Sequence, residues 1–175
     1  SSLMDFSQAL RLEPQNADAH NGSGWAHFKI AESYYDSVNK VFVDTAAAKA
    51  EHEKARDSFL SAVRLDPQNA NAQNGLAWTW LKLGDIQRSQ SDNATAQLSY
   101  EQALQAYANA SRLAPNDPQY AVSVGNARWL VSTNLVTCRN SSASEAELTR
   151  YVGMIEAAIA DLDRGTELAR AQKLT

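Results

Sequence analysis

The sequence predicts an all-α fold, an α-solenoid of antiparallel helix hairpins with about seven helices, and three observations carry that prediction. The pattern aromatic-x-x-Ala-x-Arg-Leu-x-Pro occurs at Phe6–Pro14, Phe59–Pro67 and Tyr107–Pro115. The stretch behind it recurs as well: Pro14–Lys29 and Pro67–Lys82 carry the same residue at nine of sixteen positions. Between the copies, apolar residues return at spacings of three and four, the period of one helix face. Self-similarity at fixed offsets marks a chain built by stacking one unit on the next.

Each copy of the pattern predicts helix, short turn, helix. Phe and Ala three apart, then Leu, share a helical face, and the proline cannot continue that helix. Gln15-Asn16, Gln68-Asn69 and Asn116-Asp117 supply turn or N-cap side chains, and new helices begin at Ala17, Ala70 and Pro118. Residues 2–12 then read as a second helix without its first. A long helix over 17–43 follows, because Ala31, Tyr34, Tyr35, Val38, Val41 and Phe42 keep helical spacing. Asp44 or Thr45 caps the next helix, 46–65, whose alanine-rich start has high helix propensity. The second hairpin uses 70–89 and 93–114, with Ser91 and Asp92 as caps and Gly84 as a kink or early end. The third opens at 118 and buries Val124, Ala127, Leu130 and Val131. Residues 139–144 form the most loop-like segment, and Ser144 with Glu147 makes a capping box for a helix over 145–172. Leu148, Tyr151, Val152, Ile155, Ile159, Leu162 and Leu168 give that helix one apolar stripe, and it reads as the terminal cap.

At these residues the chain resembles the tetratricopeptide repeat family. Ala55, Phe59, Ala62 and Pro67, then Ala103, Tyr107, Ala110 and Pro115, match the family's second-helix pattern. Gly24 and Gly125 match its first-helix glycine, for which Ala77 stands in between them. The resemblance spans roughly residues 4–132 and implies a right-handed solenoid whose first helices line a concave groove that takes extended peptides or helices. One departure is clear: the prolines are 53 and 48 residues apart, against a family period of about 34. The surplus reads as both helices of each hairpin being lengthened by a few turns. The expected organisation is one domain over 1–175, with a truncated repeat at 1–14 and repeats at 17–67, 70–115 and 118–172. Opening within a second helix suggests a piece excised from a larger protein.

Composition narrows the function classes. With 44% hydrophobic and 21% charged residues the chain is ordinary globular material. A net charge of −4 with scattered Lys and Arg gives no footprint for a nucleic-acid backbone. No apolar run reaches the roughly 18 residues of a membrane span. The single Cys138 fits a reducing compartment, but a cysteine-poor exported protein would look the same, so localisation stays open.

Candidate chemistry is sparse. His20 and His27 share a helical face without a third ligand, and His52-Glu53 begins a zinc-protease motif that Arg56 breaks. Glu51, Glu53, Asp161 and Asp163 read as solvated helix faces. Cys138 has no positioned base. The glycosylation sequons at Asn21, Asn93, Asn109 and Asn140 carry little in a chain this rich in Asn and Ser. No catalytic residue, cofactor or metal is therefore expected.

The ladders are more informative. Seven, eleven and fifteen residues after the prolines stand Asn21, Asn74 and Val122; Trp25, Trp78 and Asn126; Lys29, Lys82 and Leu130. Equal offsets in a stacked array become rows, and the resemblance places them in the groove. The expected partner-binding surface is Asn21, Trp25, Lys29, Asn74, Trp78 and Lys82, with Trp129 at its edge. The two lysines favour an acidic or neutral segment over a basic one. The family's clamp for a C-terminal carboxylate needs lysine where Asn21 and Asn74 stand, so that specificity is not expected. Trp25 and Trp78 read equally well as helix-packing residues. The leading function is a non-catalytic scaffold for a peptide or partner protein. The alternatives are a self-association module forming a homo-oligomer, a regulatory domain of a multidomain enzyme, or an enzyme whose site is buried among the long helices.

Overall fold

A computed structural model describes residues 2–37, 41–137 and 144–173. Seven helices follow in order: α1 (Leu3–Leu12), α2 (Ala17–Ser33), α3 (Thr45–Leu65), α4 (Ala70–Ser89), α5 (Asn93–Leu113), α6 (Pro118–Thr137) and α7 (Glu145–Lys173). Each helix packs on the next in sequence, and α2 also reaches α4, so the chain is a stack of helix hairpins rather than a closed bundle. Among the described residues, no helix is long and apolar enough to cross a membrane.

Side chains start most of these helices as the sequence predicts. Asn16, Asp44, Asn69 and Asp92 each accept from a backbone N–H three residues on, at 2.9, 2.9, 2.9 and 3.2 Å. Ser2 and Asp5 form a reciprocal capping box at α1. Ser91 does not cap α5; it carries the turn, at φ 63°. The Ser144–Glu147 box and Cys138 rest on side chains outside the described residues.

The first long helix is shorter than expected. The helix predicted over 17–43 ends at Ser33, and a two-stranded antiparallel hairpin follows, β1 (Tyr35–Asp36) paired with β2 (Val41–Phe42). Tyr35 lies opposite Phe42, with ring centroids 5.1 Å apart. Aromatic and β-branched residues favour the pleated conformation, and a cross-strand aromatic pair rewards it. The lengthening of this repeat is therefore a β tip on one side and a real helix extension on the other, since α3 starts at Thr45.

The core runs continuously from α2 to α6 through Phe28, Phe59, Leu76, Tyr107 and Val124. Phe59 fills a slot between two chain neighbours of α3: a Cβ on Gly24 of α2 would stand 2.7 Å from its ring, and one on Gly75 of α4 2.4 Å. Ala62 and Ala110 are fully buried at the helix crossings, where a larger side chain would force the helices apart. The predicted α7 stripe divides. Leu162 meets Gly125 beside the buried Ala158, a residue outside the predicted stripe, whereas Leu148, Val152 and Ile159 remain about half exposed. Gly84 neither kinks nor ends α4, which continues to Ser89.

Candidate functional site

The rows read from the sequence lie on α2, α4 and α6, and their members do different things. Trp25 is held from both sides. Its ring meets Phe28 and Phe59 edge-on at 5.7 and 5.3 Å, and its indole N–H donates to Asn71 Oδ1 at 2.8 Å. The same oxygen accepts from Asn21 Nδ2 at 3.0 Å. Asn71 on α4 thus ties down the α2 row, a role that equal offsets could not reveal, because the matching positions are Asp18 and Gln119. Asn74 is buried, and its Oδ1 has no partner among the described residues. Lys29 is exposed, and so is half of Trp129.

Lys82 is already engaged. Its ammonium stands 3.0 Å from Glu32 Oε2 and 5.3 Å over the Tyr35 ring. It closes the end of α2 and the β tip onto α4 and leaves little charge to offer a ligand. Beside it lies a cavity of about 420 Å³ between Tyr35, Phe42, Asp85 and Arg88.

Trp78 differs from Trp25. One edge meets Tyr107 at 6.3 Å, and the ring also walls an open cavity of about 720 Å³. Val122, Ser123 and Asn126 of α6 form the floor, and Thr166, Arg170 and Lys173 of α7 form the far wall. Two bonds hold that end of α7 against the turn before α6: Arg164 donates to the Pro115 carbonyl at 2.9 Å and Gln172 to that of Asn116 at 3.1 Å. Asn21, Trp25, Lys29, Asn74 and Lys82 do not line this cavity; Trp78 does, and Trp129 follows Asn126 one turn along α6. Arg170 and Lys173 escaped the sequence reading because α7 carries no copy of the repeated pattern.

The histidines and acids singled out in the sequence have structural partners. His20 Nε2 lies 2.9 Å from the Pro14 carbonyl. His27 Nδ1 lies 2.7 Å from Glu51 Oε2, and Lys54 also bonds Glu51. Asp161 receives a bond from Arg128 at 3.1 Å. Glu51 and Asp161 are therefore paired acids rather than the solvated faces expected. His52 is wholly buried beside Phe28, with Nε2 3.6 Å from Glu32 Oε1, beyond hydrogen-bond reach. Among the described residues no three His, Cys, Asp or Glu side chains gather as a metal site would require.

These features define an all-helical repeat array with an open cavity between α4, α6 and α7. Two crystal structures of MamA are similar to this chain along nearly its whole length. One is 16% identical, covers 99% of this chain and 90% of its own, and has a TM-score of 0.43. The other is 17% identical, with 98% and 82% covered and a TM-score of 0.40. No family model and no curated protein sequence matches. The likeness is too slight to add to the argument, and the helical-repeat assignment rests on the geometry above.

Proposed function

We propose that this chain is a non-catalytic protein-interaction module that holds an extended peptide segment against α4 and α6. The observation that carries this reading is the open cavity beside Trp78. An indole face and Val122 offer anchoring area, and Ser123 and Asn126 offer hydrogen bonds suited to a peptide backbone.

The test uses Asn126→Trp. Asn126 is exposed, and its row already carries tryptophan at Trp25 and Trp78, so the helix can bear the change while the new ring fills the cavity mouth. Selection from a displayed random peptide library should enrich sequences on the native chain and lose them on the variant, with the helical circular dichroism spectrum unchanged. Equal enrichment on a folded Asn126→Trp chain would place the binding face elsewhere.

A second reading, self-association, draws on a different observation. Met4 and Leu12 on α1 are 81% and 77% exposed, and Leu148, Val152 and Ile159 line the outer side of α7, so both ends of the stack carry bare apolar area. Light scattering over a range of concentrations separates the two: a constant monomer mass removes the second.

A further inference from the structure

The cationic wall of the Trp78 cavity belongs to α7, and it bears on which peptides the groove accepts. Although the chain is acidic overall, the residues lining this cavity include Arg170 and Lys173 and no carboxylate. Both are exposed, and among the described residues neither forms an ion pair with an acid. Lys82, the row's other cation on α4, is committed to Glu32. Lys29 on α2 is exposed but does not line this cavity, so the charge available to a ligand there lies on α7, one helix away from the apolar floor at Val122.

We infer that Arg170 and Lys173 form an acid-selecting subsite, so that the preferred occupant is an extended peptide with a large apolar residue against Trp78 and Val122 and an Asp or Glu side chain close to it in sequence. This rests on the groove reading above and adds specificity to it. A guanidinium can take a carboxylate through two parallel bonds, and the neighbouring ammonium adds a mobile second charge. A cleft lined by one sign of charge also raises the local concentration of the opposite sign.

The experiment is the same random peptide selection run in parallel on the native chain, on Arg170→Ala with Lys173→Ala, on Arg170→Glu with Lys173→Glu, and on Asn126→Trp. The native chain should enrich peptides that pair an aromatic or aliphatic residue with Asp or Glu. A fluorescein-labelled peptide made from the leading sequence should bind the double alanine variant about tenfold more weakly, and its affinity for the native chain should fall as salt is raised. The double glutamate variant should turn the selection towards Lys and Arg. Enriched peptides without acidic bias, or affinity unchanged in the double alanine variant, overturn the subsite and leave the groove standing. Enrichment that survives in Asn126→Trp overturns the groove itself, as does a library that enriches nothing over bare beads. Capture of single-stranded poly-uridine in preference to acidic peptides would mean that the two cations serve a nucleic-acid backbone, and would also overturn the assignment.

Discussion

The Lys82 ammonium lies 3.0 Å from the Glu32 carboxylate, with the Lys82 side chain only 18% exposed. The pair joins the end of α2 to α4, and the Tyr35 ring packs over it. The sequence places Lys82 in the expected partner-binding row; the structure makes it a structural cation. Lys82→Ala should cost about 1–3 kcal/mol, because it leaves a half-buried carboxylate without its partner. The same change in a Glu32→Gln background should cost much less, and denaturant unfolding of the four chains of that cycle measures the coupling. Ala62→Leu, at a position with no exposure, should cost a comparable amount, about 1–3 kcal/mol, by overpacking the α3 crossing.

Gly84 lies inside α4, where replacing glycine by alanine ordinarily stabilises a helix by about 1 kcal/mol. Here a Cβ would stand 2.6 Å from Tyr100 Cε1. The ring cannot swing away at little cost, since it is 2% exposed and its hydroxyl donates to Asp85 at 2.8 Å. Gly84→Ala should therefore destabilise the chain by about 1–3 kcal/mol. Adding Tyr100→Leu should erase most of the penalty, which thermal melts of the single and double variants would show.

How much of this was legible follows from the same residues. Junctions marked by a proline and an Asn or Asp cap were readable, because caps and breakers act within a few residues: α3, α4 and α5 end within a residue or so of their expected limits. The β tip was not. Tyr35, Val41 and Phe42 satisfy helical spacing on paper, but their preference for extended backbone and the Tyr35–Phe42 ring contact decide otherwise. The groove was half legible. Offsets from the prolines put Trp25 and Trp78 in one row, yet only contacts across helices reveal that Trp25 is locked by Phe28, Phe59 and Asn71 while Trp78 fronts a cavity. Arg170 and Lys173 lie on the helix that lacks the repeat, so no internal comparison could place them.

Two carboxylates make the α2–α3–α4 junction sensitive to acid. Burial pushes the Glu32 carboxyl up, but the His52 and Lys82 side chains outweigh it and hold it below the ordinary value of 4.5. For Glu51 burial is likewise opposed, by Lys54 and His27, with the same net direction. A carboxylate depressed in the folded state stabilises the fold fully above its unfolded value and loses that contribution as pH falls through the folded one. Melting temperature should thus begin to drop below pH 4.5. Glu32→Gln and Glu51→Gln should each lower the melting temperature at neutral pH and flatten the decline in acid. Parallel slopes for the native chain and both variants would remove these two pairs as the source of acid sensitivity.

Asn71 offers the sharpest test of how the groove face is held. Its exposed side chain would ordinarily predict a neutral substitution. Its Oδ1, however, accepts from both Trp25 Nε1 and Asn21 Nδ2, so Asn71→Ala deprives two donors on the neighbouring helix of one shared acceptor. Water can reach part of the site, which limits the cost to about 0.5–1.5 kcal/mol. Asn71→Asp keeps an acceptor in place and should recover most of that loss, whereas Asn71→Leu keeps bulk without an acceptor and should not. The Trp25 ring would remain packed on Phe28 and Phe59 in all three variants, so near-ultraviolet circular dichroism should stay close to native while stability ranks Asn, then Asp, then Ala and Leu together. Leu matching Asp in stability would mean that packing of the side chain, and not the shared oxygen, joins α2 to α4.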